Sequence, residues 1–219
     1  MRSFRHWSPR YILNRTSLFL YQKYHPGDPW LTPLSNSILG SWLKSSDVGL
    51  EFGSGRSTIW LAKRIKHLTS VEDNSLWYER VQLIIKKNLL VNVDHYLVPN
   101  DVKDEEGSFS QYVRTIDRFA ENSLSFVLVD GVYRDICAWE VISKIQPGGV
   151  LIIDDAQRYL PSDSHSPSSR TRTQGAAGKV WAQFQKLTSD WRTIWTSSGV
   201  TDTALFFKPV SKAEKNDYR

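Results

Sequence analysis

Residues 47–58, DVGLEFGSGRST, decide the fold. A short apolar run, DVGLEF, reads as a buried strand and ends in the glycine-rich turn GSG. A helix follows, capped by Ser57 and carrying Ile59, Trp60, Leu61 and Ile65. Working outward, HLTSVE (67–72) reads as a second strand, followed by a helix with Trp77, Val81 and Ile84 on one face. HYLVP (95–99) makes a weak third strand. SFVLVDG (125–131) is a near-continuous apolar run of the kind buried in a parallel sheet. The next helix places Ile136, Val141, Ile142 and Ile145 at helical spacing and stops at Pro147-Gly148-Gly149. VLIIDD (150–155) is a further buried strand, and VWAQFQKL (180–187) is helical. WRTIWTSS and TDTALFFKP form two closing strands around a glycine-containing turn. Strand–helix alternation followed by a hairpin predicts an α/β sandwich, parallel but for its last strand.

Upstream, residues 1–46 read as one or two helices broken by the turn-rich stretch HPGDPWLTP (25–33). The expected organisation is an N-terminal helical cap over 1–46, a single domain over 47–209 and a polar tail over 210–219. Residues 157–178, rich in Ser, Arg, Gly and Pro, read as a long mobile loop.

The 219 residues, 40% hydrophobic and 23% charged, are ordinary for a globular chain and exclude an intrinsically disordered one. No apolar run approaches the roughly 20 residues needed to span a bilayer, and MRSFRHWSPRYILNR has no apolar signal region, so neither a membrane span nor secretion is expected. The lone Cys137 sits among apolar helix residues as a buried side chain and fits a cytoplasmic protein. The net charge of +5 is concentrated in two places. One is residues 1–30; the other holds Arg158, Arg170, Arg172 and Lys179. Such patches suit phosphate on nucleic acid, a nucleotide sugar or an anionic lipid head, or simply a solvated surface. Dedicated nucleic-acid-binding patterns are absent, although nucleic acid stays among the candidate partners.

Ligands of such sheets bind beyond the carboxyl ends of the strands, where strand order reverses. Gly53 and Gly55 let the backbone turn sharply and approach a ligand. Glu72 lies 17 residues beyond Gly55, where an acid would reach the ribose hydroxyls of a nucleoside-containing cofactor. A dinucleotide fingerprint wants a third glycine where this chain has Thr58, and Glu51 would repel a pyrophosphate. Both count against an NAD-linked oxidoreductase. A carboxylate there suits S-adenosylmethionine, which offers an ammonium, a sulfonium and a ribose but no phosphate.

The segments GLEFGSGRSTIWLAKR, LTSVEDN, LSFVLVDG and IQPGGVLIIDD, in this order and spacing, resemble the class I S-adenosylmethionine-dependent methyltransferases. The likeness spans about residues 28–208 and implies a Rossmann-like sandwich with a seven-stranded, mostly parallel sheet, its last strand antiparallel. It also implies that Glu51 holds the methionine ammonium, partly through water. Gly53, Ser54 and Gly55 would line the cofactor through backbone groups, with Ser57 and Thr58 opening the helix beside its carboxylate. Glu72 would take the ribose hydroxyls, Asp73 would sit against the adenine, and Asp101 would meet the adenine amino group.

Asp130, Asp154 and Asp155 end neighbouring strands, and the stretch resembles sugar, macrolide and catechol-type O-methyltransferases. Three carboxylates there could ligate Mg²⁺. Arg134 stands ready to pair with Asp130, however, and no aromatic residue follows the Asp154-Asp155 pair. The reading therefore names no metal and keeps Asp130, Asp154 and Asp155 as the site should one bind. Methyl transfer to oxygen needs alignment and a base within hydrogen-bond reach, for which Asp130 and Asp154 are the candidates, with Tyr133 and His165 as outsiders. The N/D-P-P-Y/F tetrapeptide of base N-methylation is missing, since Asp130-Gly131-Val132-Tyr133 occupies its place. The expected activity is methyl transfer to a hydroxyl of a small molecule. HPGDPWLTP would form part of the acceptor wall, and the two basic regions point to an anionic acceptor. The alternative is a protein of this fold that binds RNA or a protein partner without catalysis.

Overall fold

The structure is a computed structural model and describes residues 8–99 and 110–210. Two helices open it. In α1 (Pro9–Tyr24) the Ser8 hydroxyl caps the first turn by accepting from the Tyr11 N–H, and proline sits where no donor is needed. α2 (Pro33–Trp42) repeats the arrangement with Thr32 and Pro33. The segment between them is the Pro/Gly-rich break expected there.

The body alternates β1 (Val48–Phe52), α3 (Arg56–Ala62), β2 (His67–Glu72), α4 (Ser75–Lys87) and β3 (Val93–Leu97). After the undescribed stretch come α5 (Gln111–Arg114), β4 (Leu124–Val129), α6 (Arg134–Glu140) and β5 (Ile145–Asp154). α7 (Lys179–Leu187) and the hairpin β6 (Arg192–Ser197) and β7 (Asp202–Phe207) complete it. The seven strands lie in the order β3-β2-β1-β4-β5-β7-β6. β1 to β5 are parallel, and β7 runs antiparallel to both β5 and β6. This is the Rossmann-like methyltransferase architecture expected from the sequence. No helix among the described residues is long and apolar enough to cross a membrane.

Both faces of the sheet are covered, which is why its central strands are mostly apolar. On one face Leu50, Phe52, Val127, Val129, Leu151 and Ile153 pack with Tyr112, Cys137 and Phe184. On the other, Phe126, Leu128, Val150 and Ile152 meet Leu39, Trp60 and Leu61. Gly49 leaves room for the Phe126 ring, on which a methyl group at that position would fall. Cys137 is buried, and burial pushes its thiol well above the usual range.

Four local expectations are corrected. Gly55, not Ser57, is the N-cap of α3, and the Thr58 hydroxyl accepts its N–H at 2.9 Å. The α4 face toward the core is Val81 and Ile85, while Ile84 is 45% exposed. α6 ends at Glu140, and Ile145 with Pro147-Gly148-Gly149 belongs to the long strand β5, because Ile145 pairs with Leu124 across the ladder. Residues 157–178 are folded back on themselves: Pro161 bridges Arg170, and the Ala177 N–H donates to Tyr159 O at 2.7 Å.

Candidate cofactor and acceptor site

The strand order reverses between β1 and β4, and their carboxyl ends are joined. The Asp130 N–H donates to Phe52 O at 2.8 Å, and on the other flank the Gly53 N–H ties β1 to β2 by donating to Val71 O, also at 2.8 Å. Gly53 has φ +93°, and a methyl group on it would stand 2.7 Å from the Gly131 nitrogen, so glycine is required there on both counts.

Three side chains set the turn. Glu72 Oε2 accepts the Ser54 N–H and the Ser54 hydroxyl, each at 2.9 Å, while Oε1 accepts the Asn74 N–H at 3.0 Å. The Trp77 indole N–H donates to Ser54 O at 2.6 Å and ties the turn to α4. Behind the turn, Glu51 Oε2 accepts the hydroxyls of Thr58 and Ser70, each at 2.6 Å. Thr58 therefore fills, with a bonded hydroxyl, the place where a dinucleotide fingerprint has its third glycine.

Glu51 is fully buried, and its Oε1 has no hydrogen-bond partner among the described residues. Burial pushes its carboxyl up to about 7, against the hydroxyls of Ser57, Ser70 and Thr58, which favour the charged form. A buried carboxylate with one unsatisfied oxygen is a place where a cation or a water would be accommodated.

A cavity of about 1100 Å³ opens over this turn. Its walls include Gly53, Ser54, Gly55, Ser57, Glu72 and Asp73, with Trp77, Arg80 and Ile84 from α4. Pro26, Gly27 and Trp30 bring HPGDPWLTP into the wall, where the Arg56 guanidinium lies 5.1 Å from the Trp30 ring centre. Asp130, Gly131 and Val132 form the remaining side. Ser57 lines the cavity, whereas the buried Glu51 and Thr58 do not. Asp101 lies outside the described residues. Trp30 lies in the stretch HPGDPWLTP expected at the wall; Arg80 is a wall residue that the sequence did not single out, and Trp77 and Ile84, read as one apolar helix face, both line the cavity. An indole just after a strand-end acid was the available signal.

At the far rim, Arg134 pairs with Asp130 Oδ1 at 2.8 Å and donates to three carbonyl oxygens, of Gly131, Asp130 and Asp154, at 3.0, 2.7 and 2.6 Å. It fastens the ends of β4 and β5 together. Burial pushes the Asp130 carboxyl up to about 6 despite Arg134, with Asp155 adding to the rise. Burial and the charge of Asp130 also raise Asp154, whose Oδ1 accepts the Thr203 hydroxyl at 2.8 Å. The pair thus holds a proton more readily than two exposed aspartates would.

Asp155 is turned away: Oδ1 accepts the Thr201 hydroxyl at 2.6 Å, and Oδ2 faces Arg158 at 3.3 Å. The three acids lie close enough to raise one another, but Asp130 is engaged by Arg134 and Asp155 by Thr201 and Arg158. Among the described residues no group of acids, histidines or cysteines could hold a metal. The residues present do not fit Mg²⁺.

The basic loop is also differently used. Arg170 donates to the carbonyls of Gly175, Gln174 and Ala176, at 2.6, 3.2 and 3.4 Å, and Arg172 pairs with Asp163 at 2.9 Å. These cations hold the loop's own conformation. His165 is exposed and lines a separate cavity of about 850 Å³ with Arg10 and Ser166.

No family model matches the sequence, and no curated protein does either. Solved structures do match. A methyltransferase-like protein from Silicibacter pomeroyi is 20% identical with a TM-score of 0.53, over 85% of this chain and 92% of that one. An rRNA methylase from Streptococcus thermophilus is 9% identical with a TM-score of 0.52, over 80% and 95%. A candidate methyltransferase from Streptococcus mutans, solved with S-adenosylhomocysteine, is 10% identical with a TM-score of 0.51, over 80% and 96%. At these identities the likeness carries the fold, and the fold of this chain is that of the class I methyltransferases.

Proposed function

We propose that this chain transfers a methyl group from S-adenosylmethionine to a hydroxyl of a small-molecule acceptor. The observation that carries the reading is the convergence, on one cavity, of the Gly53–Gly55 turn, the acids Glu72 and Asp73, and the proton-holding Asp130. The cofactor, when bound, supplies a methyl group on a cationic sulfur, activated for in-line displacement.

The chain's own residues bind, orient and take up the proton. Gly53, Ser54 and Gly55 present backbone without side-chain obstruction. Among the described residues Glu72 Oε1 accepts one hydrogen bond and keeps a lone pair for a ribose hydroxyl. Asp73 flanks the adenine end, Ser57 lines the cavity, and the unsatisfied oxygen of Glu51 behind the turn draws the ammonium. Asp130 accepts the acceptor's proton, with Asp154 holding it in place through their shared titration. Tyr133 and His165 take no part. The N-terminal helices act as the cap over residues 1–46, with Trp30 as its contribution to the wall, and 47–209 as the cofactor domain.

The test is thermal unfolding with and without S-adenosylhomocysteine, beside NAD, on the native chain and on Glu72→Ala and Asp73→Ala. Ligand at about 100 times Kd adds roughly 2.7 kcal/mol, a rise of roughly 5–11 °C. A rise with S-adenosylhomocysteine alone, reduced in both variants, supports the cofactor; no rise overturns it. Transfer of labelled methyl to hydroxylated small molecules then separates an enzyme from a binding protein of the same fold.

A further inference from the structure

The helix α1 has its amphipathic faces reversed. Toward the body it presents Tyr11, Asn14, Leu18, Tyr21 and Gln22, of which Leu18 alone is fully buried. Asn14 lies on the β6–β7 turn, where a methyl group on Gly199 would fall on its amide, and the Tyr21 hydroxyl donates to Asp28. The opposite face carries Ile12, Leu13, Phe19, Leu20 and Tyr24, all between 44% and 74% exposed. At about 100° per residue these five fall within an arc of roughly 140°. Thr16, inside the arc, hides its hydroxyl on Ile12 O at 2.9 Å. A soluble helix turns such a stripe inward; here it points out.

Charge says what covers it. Residues 1–27 contain five cations, Arg2, Arg5, Arg10, Arg15 and Lys23, and no acid. Arg10 and Arg15 lie on the two shoulders of the apolar arc, about 110° to either side of its centre. Lys23, the one charge within the arc, sits in the last turn, where its stem can lie along apolar surface while the ammonium reaches outward. A second copy of this helix would bring cations to cations with no carboxylate between them. A surface that takes apolar side chains between anionic groups answers both features.

We infer that the outward face of α1 docks on an anionic lipid surface, lying in the interface plane with Ile12, Leu13, Phe19 and Leu20 among the acyl chains and Arg10 and Arg15 at the headgroups. The inference stands apart from the proposed chemistry. It also orients the molecule, because Pro26, Gly27 and Trp30 of the main cavity's wall lie two to six residues beyond Tyr24. Docking places that wall beside the bilayer.

Flotation of the full chain with vesicles of phosphatidylcholine, and of phosphatidylcholine mixed with phosphatidylserine, tests it. The native chain should float with the phosphatidylserine vesicles, float weakly with phosphatidylcholine alone, and be partly released by salt. Leu13→Gln with Leu20→Gln should lower the bound fraction roughly tenfold at an unchanged unfolding temperature, because both positions face water in the free protein. Ile12→Gln with Phe19→Gln repeats the measurement at separate positions. Failure to float with phosphatidylserine vesicles would overturn the inference, as would flotation that survives both double variants. A dimer, seen by light scattering and split by these same substitutions, would assign the face to a second copy and overturn it equally.

Discussion

Gly53 and Gly131 meet backbone to backbone at the reversal of strand order, so close that a methyl group on the first would lie 2.7 Å from the nitrogen of the second. A methyl group on Gly131 would also fall on the Tyr112 hydroxyl, which is buried and has no hydrogen-bond partner among the described residues. Gly131→Ala should therefore cost about 2–3 kcal/mol, a fall in unfolding temperature of roughly 4–12 °C. Tyr112→Phe removes an unsatisfied buried hydroxyl and should leave stability unchanged or slightly higher. The double variant should recover more than half of the loss, which a double-mutant cycle of unfolding temperatures measures.

Glu51 makes stability depend on pH in a definite direction. Its folded carboxyl is pushed up to about 7 from an ordinary value of 4.5, so between those values the folded chain binds more protons than the unfolded one. The contribution is fully present below pH 4.5 and is lost as pH rises to about 7, a change of roughly 3 kcal/mol. Asp130 and Asp154 act with the same sign. Glu51→Gln should flatten its own share, and the difference between urea unfolding curves of the two proteins across that window isolates it.

Under the proposed chemistry, the rate of methyl transfer should rise as pH climbs through about 6, where Asp130 ionises. Asp130→Asn should reduce the rate roughly 100-fold or more. Arg134 favours the charged form of Asp130, so Arg134→Met should move the rising limb to higher pH, a shift that mere loosening of the rim would not produce. Rate–pH profiles of the three proteins check this.

The loop arginines should behave unequally. Arg170→Ala removes three hydrogen bonds to carbonyls of its own loop and should cost about 1–2 kcal/mol. Arg172 and Asp163 are both largely exposed, so Arg172→Ala should change stability by under about 1 kcal/mol. Unfolding temperatures of the two variants decide it. An anionic acceptor held by these two side chains would instead show as a raised KM in both.

The strands and their order of use were legible in the chain because buried parallel strands need uninterrupted apolar runs such as SFVLV, and glycines mark where backbones touch. The boundary between α6 and β5 was not. Ile145 satisfies helical spacing as well as it satisfies the ladder, and only its pairing with Leu124 decides between them. The acids at strand ends were visible as residue types, but their roles depend on partners far away in sequence. Arg134 beside Asp130 could be foreseen from its position; Thr201 on Asp155 and Thr203 on Asp154 could not. Trp77 reads as core by periodicity and is recognisable as a clamp on Ser54 only when its indole N–H is seen at 2.6 Å from that carbonyl. Likewise α1 looks unremarkable as text, because only the folded body shows which of its faces is left outside.

The insertion of β7 between β5 and β6 gives the chain a timetable. β6 is made first but has no neighbour other than β7, so a nascent chain that has emerged as far as Ser197 carries a strand with nothing to pair against. When residues 202–207 arrive they join β5 on one side and β6 on the other, and they bring Thr203 to Asp154 in the same movement. Asp155 gains Thr201, and Asn14 of α1 gains its seat on the Gly199 turn, from that event as well. Closure of the sheet, the threonine contacts of Asp154 and Asp155 and the seat of Asn14 thus all depend on the closing hairpin, whereas Arg134 holds Asp130 without it.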